Sequence, residues 1–104
     1  MATIISSQRY TNDEIVAAKL ADRDFVVTLS PAFAYQGGEY QVVLDGHHSL
    51  AAAREAGVEP EYIEADKRTA DTVALLDRGE IEDFLVATRI DSDYYVVATG
   101  EDVW

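Results

Sequence analysis

Short apolar runs separated by turn residues constrain this fold more than any other feature of the sequence. Ala2–Ser6, Phe25–Leu29 and Tyr40–Leu44 are rich in β-branched and aromatic residues, and each lies next to Ser, Gly, Pro or Asp. Runs of this length are typical of strands in a covered sheet. Because helical segments stand between them, the sequence predicts a mixed order of strands and helices, which is an α+β domain.

Two helices are predicted in the first half of the chain. Thr11-Asn12-Asp13-Glu14 matches a capping box with Thr11 as the N-cap, which predicts a helix over about Asn12–Ala21. His47–Ala56 consists mostly of good helix formers. Gly57 then stands where a helix commonly ends.

The second half of the chain gives a less uniform pattern. Val58–Ile63 leads into a short strand, and Thr69–Arg78 has the pattern of a helix. Glu80–Ile90 is ambiguous, but the apolar alternation late in it favours a strand. With Tyr94–Thr99 as the partner strand, the sequence predicts a C-terminal β-hairpin.

Size and composition indicate one domain over residues 1–104. The chain has 104 residues, shows no internal repeat or linker, and contains no cysteine. The absence of cysteine favours a reducing compartment. No signal peptide is visible, and the apolar runs are far shorter than the roughly 20 residues that span a membrane. We therefore expect a cytoplasmic protein without a membrane segment.

Strong acidity limits the partners that the chain can bind. Twenty acidic residues stand against eight basic ones, a formal net charge of −12. Nucleic acid is a polyanion that proteins bind mainly through Lys and Arg, so this charge argues against non-specific DNA binding. The acidity either keeps the protein in solution or forms a face that binds a basic protein. Glu59–Trp104, with thirteen acidic and four basic residues, is the part that would build such a face.

One segment carries residues suited to chemistry. Asp45-Gly46-His47-His48-Ser49 lies between a predicted strand and a predicted helix. The first turn of a helix presents unpaired N–H groups and the positive end of its dipole, and is a ready site for an anion. Gly46 allows the backbone to approach a ligand, and the two histidines titrate near neutral pH. Asp45 could hold a magnesium ion or take a proton.

Val43–Gly57 resembles the core motif of the ParB/sulfiredoxin-like superfamily, in which a strand is followed by Asp-Gly-His-His-Arg and an Ala-rich helix that closes on Gly. The elements before it, an early strand, a helix, an apolar strand and a Gly turn, follow the order of that family. The resemblance covers about residues 3–64. The helix and hairpin of about residues 65–104 would be additions to this core.

The resemblance implies a nucleoside phosphate, with magnesium, held at the turn. Gly46, His47, His48 and Ser49 would line the phosphates. Asp45 and His48 would be the catalytic candidates if the domain transfers a phosphoryl group or hydrolyses a nucleotide. Without cysteine, the redox chemistry of sulfiredoxins is excluded. The resemblance also suggests a plasmid, phage or bacterial origin. No protein-bound metal site is predicted, because the sequence offers no second pair of ligands.

Ser49 departs from the motif, which carries Arg at this position. Arg offers a fixed cation and a bidentate fork for phosphate, whereas Ser offers one hydroxyl. Loss of such a contact costs about 1.5–3 kcal/mol. Other roles remain open: His47 and His48 could simply lie at a helix start facing solvent, and Ser49 could bind backbone N–H groups there.

A second function is therefore considered beside nucleotide binding. In it the chain is an acidic protein-binding module, such as an inhibitor, an immunity protein or a mimic of DNA charge, on a ParB-like scaffold that has lost its nucleotide. The acidic face would bind a basic protein partner. The carboxylates expected to form it are Glu80, Glu82, Asp83, Asp91 and Asp93.

Aromatic residues near the C-terminus leave one question open. Tyr94 and Tyr95 are adjacent, so a strand would place one ring on each face of the sheet. At least one of them is then expected to face solvent. Trp104, the last residue, could lie either on the core or in an interface.

Overall fold

A computed structural model describes residues 2–68 and 70–104, which contain six strands and four helices. The strands are β1 (Thr3–Ser6), β2 (Val26–Leu29), β3 (Phe33–Tyr35), β4 (Gly38–Asp45), β5 (Glu61–Glu64) and β6 (Tyr95–Val96). The helices are α1 (Asp13–Asp22), α2 (His47–Ala56), α3 (Val73–Asp77) and α4 (Ile81–Thr88). These elements form one small α+β domain, the class that the sequence predicts.

The strands form a mixed sheet in the order β5-β2-β4-β1-β6, and β3 pairs with the start of β4. β1 runs parallel to β4, and β2 runs parallel to β5. The remaining pairs, β2 with β4, β1 with β6 and β3 with β4, are antiparallel. The long strand β4 therefore lies at the centre, and β5 and β6 lie at the two ends.

Helices cover both faces of the sheet, so the central strands bury residues on alternate sides. On the face that we call the α2 face, Leu50 packs in an apolar cluster with residues of β2, β4 and the β6 region. On the opposite face, which we call the α4 face, Phe84 is fully buried. Its cluster contains Ile5, Phe33, Val42, Leu85 and Tyr94.

The first helix begins one residue later than its capping box indicates. Asn12, not Thr11, is the N-cap, and its side-chain oxygen accepts hydrogen bonds from the N–H groups of Glu14 and Ile15. Asn and Thr are both good N-caps, so the four-residue pattern alone leaves the choice between them open.

The region predicted to contain a late strand is helical instead. Ile81, Phe84, Leu85 and Thr88 point toward the core, a spacing of three, four and seven residues that belongs to one helix face. Val86, the middle residue of the predicted alternation, is 76% exposed. The predicted helix over Thr69–Arg78 is shorter, Val73–Asp77, and Thr69 lies outside the described residues.

The C-terminal hairpin predicted between these segments does not form, because its first strand is α4. The partner, expected over Tyr94–Thr99, is the two-residue strand β6, which pairs with β1. After a turn the chain returns and places Asp102 opposite Tyr95 in an antiparallel bridge. Tyr94 and Tyr95 do lie on opposite faces, as predicted, but both are buried, so the expectation that one faces solvent is wrong.

Candidate functional site

The turn between β4 and α2 lies where the sequence predicts it. β4 ends at Asp45, Gly46 takes the left-handed conformation with φ 90° and ψ 23°, and α2 begins at His47. The helix ends at Ala56, and Gly57 caps it in a left-handed conformation. The local strand–turn–helix geometry is therefore confirmed, while the role of its residues depends on what surrounds them.

Gly46 lies against the neighbouring strand of the sheet. A Cβ atom added here would stand 2.5 Å from the Val26 carbonyl oxygen and 3.0 Å from the Val27 Cα. The position therefore requires glycine both for its positive φ and for the approach of the β2 backbone. On this side the space that a ligand would use is filled by the protein itself.

The two histidines form contacts within the domain. The Nε2 atom of His48 accepts a hydrogen bond from the Asn12 backbone N–H at 3.1 Å, which joins the starts of α1 and α2. A ring nitrogen that accepts carries no proton, so the other nitrogen of neutral His48 is the protonated one. The His47 ring lies 4.0 Å from that of His48. Burial, and then the neighbouring His48, lower the pKa of His47 below its ordinary value.

Ser49 points into the protein rather than into the turn. Its side chain is buried, and Oγ donates to Asp24 Oδ1 at 3.3 Å. Asp24 also accepts from Lys19 Nζ at 2.9 Å and from the Val26 N–H at 3.3 Å. The Lys19 hydrogen bond is the main cause that lowers the pKa of Asp24. Asp24, which the sequence analysis did not single out, thus joins α1, β2 and α2.

Several side chains that a magnesium nucleotide would meet at the turn have partners within the domain. Nε2 of His48, the hydroxyl of Ser49 and the ammonium of Lys19 all have partners inside the domain. Asp45, the predicted catalytic carboxylate, is exposed and accepts from the Gly46 N–H at 2.8 Å. The turn still offers an anion its backbone, because within the described chain no acceptor is found for the N–H groups of His47, His48 and Ser49. Their predicted roles in phosphate binding stay predictions.

No group of three or more His, Asp or Glu side chains in residues 2–68 and 70–104 is arranged to hold a metal ion.

Most of the carboxylates expected to form an acidic face have partners. Glu80 pairs with Arg78, and Asp93 pairs with Arg89. Asp91 accepts from the Arg9 backbone N–H at 2.9 Å, and the Tyr35 hydroxyl lies 3.5 Å from Glu82. Asp83, on α4, has no such contact among the described residues. This set is therefore partly neutralised by its own neighbours.

A different surface, which we call the open edge, is formed by Glu61–Glu64 at one end of the sheet. All four residues of β5 are exposed. The strand bonds to β2 on one side only: the Glu61 N–H donates to the Phe25 carbonyl, and the Ala65 N–H to the Leu29 carbonyl, both at 2.8 Å. Successive residues direct their backbone groups to opposite edges, so those of Tyr62 and Glu64 face outward. No described residue pairs with them.

Pockets lie beside the open edge on both faces of the sheet. Tyr62 pairs with Val27 in the ladder and shares its side, the α2 face. There, an open pocket of about 390 Å³ is lined by Tyr62, Ile4 and Leu29 among others. Ile63 points to the α4 face, where a pocket of about 470 Å³ is lined by Ile63, Asp45 and Glu64 among others.

The charge around the open edge is negative. None of the ion pairs formed by the described residues involves Glu59, Glu61 or Glu64. Burial raises the pKa of the Tyr62 hydroxyl, and the negative charge of Glu59 raises it further. The nearby cation Arg54 donates to the Val97 carbonyl. The alternation of charged and apolar residues in Glu-Tyr-Ile-Glu was visible in the sequence, but its position at a sheet edge was not.

Comparison of the chain with protein-family models, curated proteins and solved structures finds no match.

In the part of the chain that the structure describes, no helix has the length and apolar character needed to cross a membrane.

Proposed function

We propose that this protein is an acidic protein-binding module that binds a basic partner through the open edge and the adjoining Glu59. One observation carries the proposal: at this edge, exposed carboxylates surround exposed apolar side chains and backbone groups that no described residue pairs with. Tyr62 is 38% exposed and Ile63 is 47% exposed. Apolar surface of this kind within a charged rim is typical of protein-binding sites.

The charge of the whole chain supports a basic partner. The formal net charge of −12 attracts a positively charged surface over a distance and raises the rate of association. Of the eight Lys and Arg residues, Arg9, Lys19, Arg78 and Arg89 form ion pairs within the domain. These cations therefore offset other carboxylates, and none of the four pairs includes Glu59, Glu61 or Glu64. An inhibitor or a mimic of nucleic-acid charge would have this electrostatic character.

The test measures binding of a fluorescently labelled peptide of eight lysines in a series of salt concentrations. The wild type is compared with a variant carrying Glu59→Lys, Glu61→Lys and Glu64→Lys. A control variant carries Asp71→Lys, Asp77→Lys and Glu101→Lys, which are exposed and change the net charge equally. We expect the first variant to lose at least tenfold in affinity and the control to lose much less.

Two results would contradict the proposal. Absence of measurable binding to the wild type at low salt would show that the acidity only serves solubility. Equal losses in the two variants would show that net charge alone, and no defined surface, attracts the peptide. Binding through exposed charge should also weaken steeply as salt rises.

Nucleotide binding by a ParB-like domain, with phosphoryl transfer or hydrolysis at the turn, is the second candidate. It is favoured by the left-handed Gly46 at the start of α2 and by the three backbone N–H groups of His47, His48 and Ser49, which have no acceptor in the described chain. The pairing of Lys19 with Asp24, which Ser49 also contacts, counts against it. Thermal unfolding with millimolar ATP, CTP, GTP or ADP and magnesium tests it. A ligand at about a hundred times its Kd adds about 2.7 kcal/mol, which would raise the midpoint by on the order of 10 °C.

A further inference from the structure

The backbone of β5 offers more than charge to a partner. Tyr62 and Glu64 each direct an N–H and a C=O away from β2, and these outward groups follow one another along an extended strand. Such a row is a template for the backbone of another chain. Strand addition at an exposed edge is a recurrent way in which proteins bind extended segments.

We propose that the open edge binds an extended basic segment of its partner by adding it to the sheet as a further strand next to β5. This inference rests on the proposed function and specifies its mode. The backbone groups of Tyr62 and Glu64 pair with the segment. Its side chains then alternate between the two faces of the sheet, so each face selects its own residue type.

The two faces require different side chains. On the α2 face the segment lies beside the Tyr62 ring, the Glu64 side chain and a mainly apolar pocket lined by Ile4 and Leu29. Apolar side chains suit this side. On the α4 face a long side chain extends over Ile63 and Glu61, which share this side of β5, toward the pocket lined by Asp45. Lysine or arginine suits that side, because a cation there meets carboxylates and its aliphatic stem covers Ile63.

The same charges exclude a second copy of this chain as the occupant. Edge-to-edge pairing of two β5 strands would bring the glutamates at positions 61 and 64 of both copies close together. Like charges facing each other across strands are destabilising, and charged edges are a common means of preventing self-association. A segment with alternating basic and apolar residues removes that repulsion.

The experiment uses the wild-type protein and an eight-residue peptide of alternating lysine and valine. Two analogues carry N-methyl groups on the backbone amides, one at every lysine and the other at every valine. Each methylated set blocks hydrogen bonds along one edge of the peptide only and leaves its charge unchanged. We expect one analogue to bind at least tenfold more weakly than the parent peptide, while the other binds within about threefold of it.

The analogue that loses binding also reports the direction of the added strand. In a strand of L-residues, the face of a side chain and the edge to which its backbone groups point are linked. With the lysines on the α4 face, loss on lysine methylation indicates a parallel strand, and loss on valine methylation an antiparallel one. Equal binding of both analogues and the parent would overturn strand addition. Charge-dependent binding of octalysine would then still stand.

A pair of variants tests the edge from the protein side. Tyr62→Pro removes one outward N–H without touching a bond to β2, a position at which proline is tolerated in an edge strand. Tyr62→Ala removes the ring but keeps the N–H. We expect the proline variant to bind the parent peptide at least fivefold more weakly than the alanine variant. Equal affinities of the two, with both folded by circular dichroism, would contradict a backbone contact at Tyr62.

Discussion

The two end strands of the sheet, β6 and β5, differ in whether their outer backbone groups have hydrogen-bond partners. At β6 the chain's own C-terminal segment returns and pairs: the Val96 N–H donates to Glu101, and the Val103 N–H donates to Tyr94. We call this the closed edge. At the open edge the outward groups of β5 have no partner among the described residues, and glutamates flank them.

The closed edge is also secured by side chains. Trp104 contacts the rings of Tyr35, Tyr40 and Tyr94, with centroids 5.2, 5.2 and 5.7 Å apart. Arg9 bonds the Gly100 carbonyl and the Asp102 carboxylate and lies over the Tyr95 ring. A sheet edge can thus be protected from unwanted pairing either by a segment that covers it or by charged side chains. Only the charged edge remains accessible to a partner.

The largest contrast between the edges is expected in stability. Tyr94→Ala removes a ring that is 7% exposed and a hydroxyl that donates to the Leu85 carbonyl at 2.6 Å. Loss of a buried aromatic side chain costs about 3–5 kcal/mol. Tyr62→Ala, at the open edge, should cost about 1 kcal/mol or less, because its ring is partly solvated. Urea unfolding of both variants measures the difference, and equal costs would contradict the distinction.

A smaller loss of stability is expected from a substitution at Gly46. This turn contacts β2, the strand to which the open edge is bonded. Gly46→Ala places a Cβ 2.5 Å from the Val26 carbonyl oxygen at a φ of +90°. Left-handed strain of about 1–2 kcal/mol and overpacking of about 1–3 kcal/mol give an expected loss of about 2–5 kcal/mol in unfolding free energy. Gly79→Ala is the matched control, since its φ is +75° and nothing lies within 4 Å.

The difference between these two glycine variants isolates the contact with β2. Amide hydrogen exchange should also accelerate in β2 and β5 of Gly46→Ala more than in β6, because β2 is the one neighbour of β5 among the described strands. Equal costs of the two variants would show that the turn can move away from β2, which would leave space for a ligand at Gly46.

The smallest expected difference between the two edges is in the pH dependence of the unfolding free energy. Burial raises the pKa of Tyr94 above its ordinary value of 10.0. The pKa of Tyr62 is also raised, mainly by burial and to a lesser extent by the negative charge of Glu59. A pKa that is higher in the folded state gives stability that is complete below pH 10 and is lost as pH rises through the folded pKa. We expect unfolding free energy to fall above about pH 10, less steeply in Tyr94→Phe than in the wild type.

Tyr62→Phe is the control for this pH dependence. Tyr62→Phe should reduce the loss of unfolding free energy at high pH less than Tyr94→Phe does, because Tyr62 is the more exposed ring. Denaturant unfolding at several pH values between 8.5 and 11 gives the curves. If Tyr94→Phe and the wild type run in parallel over this range, the pKa of Tyr94 is the same in the folded and unfolded states, which would contradict the expected shift.

Much of the architecture was predictable from local sequence. The strand at Tyr40–Leu44, the turn at Gly46, and the helix His47–Ala56 with Gly57 behind it all lie where the pattern places them. Each of these depends on neighbours within a few residues: β-branched runs, a residue with positive φ, and good helix formers. The α+β class follows from their order.

The candidate site was predicted less completely, because its partners are distant in sequence. Ser49 meets Asp24, and the backbone N–H of Asn12 meets His48, across 25 and 36 residues respectively. The Gly46 turn lies against Val26. A motif of adjacent residues indicates a helix start that could bind phosphate, but it does not reveal that these distant groups occupy its side chains.

By itself, the sequence determined the acidity, the short strands, the turn before α2 and the placement of Tyr94 and Tyr95 on opposite faces, because charge, propensity and side-chain alternation are local properties. Only the tertiary structure decided that Glu80–Ile90 forms a helix, that both tyrosines are buried, and that one sheet edge is covered while the other stays open. These outcomes depend on which distant surfaces meet, and the free energy of that burial outweighs a weak local preference.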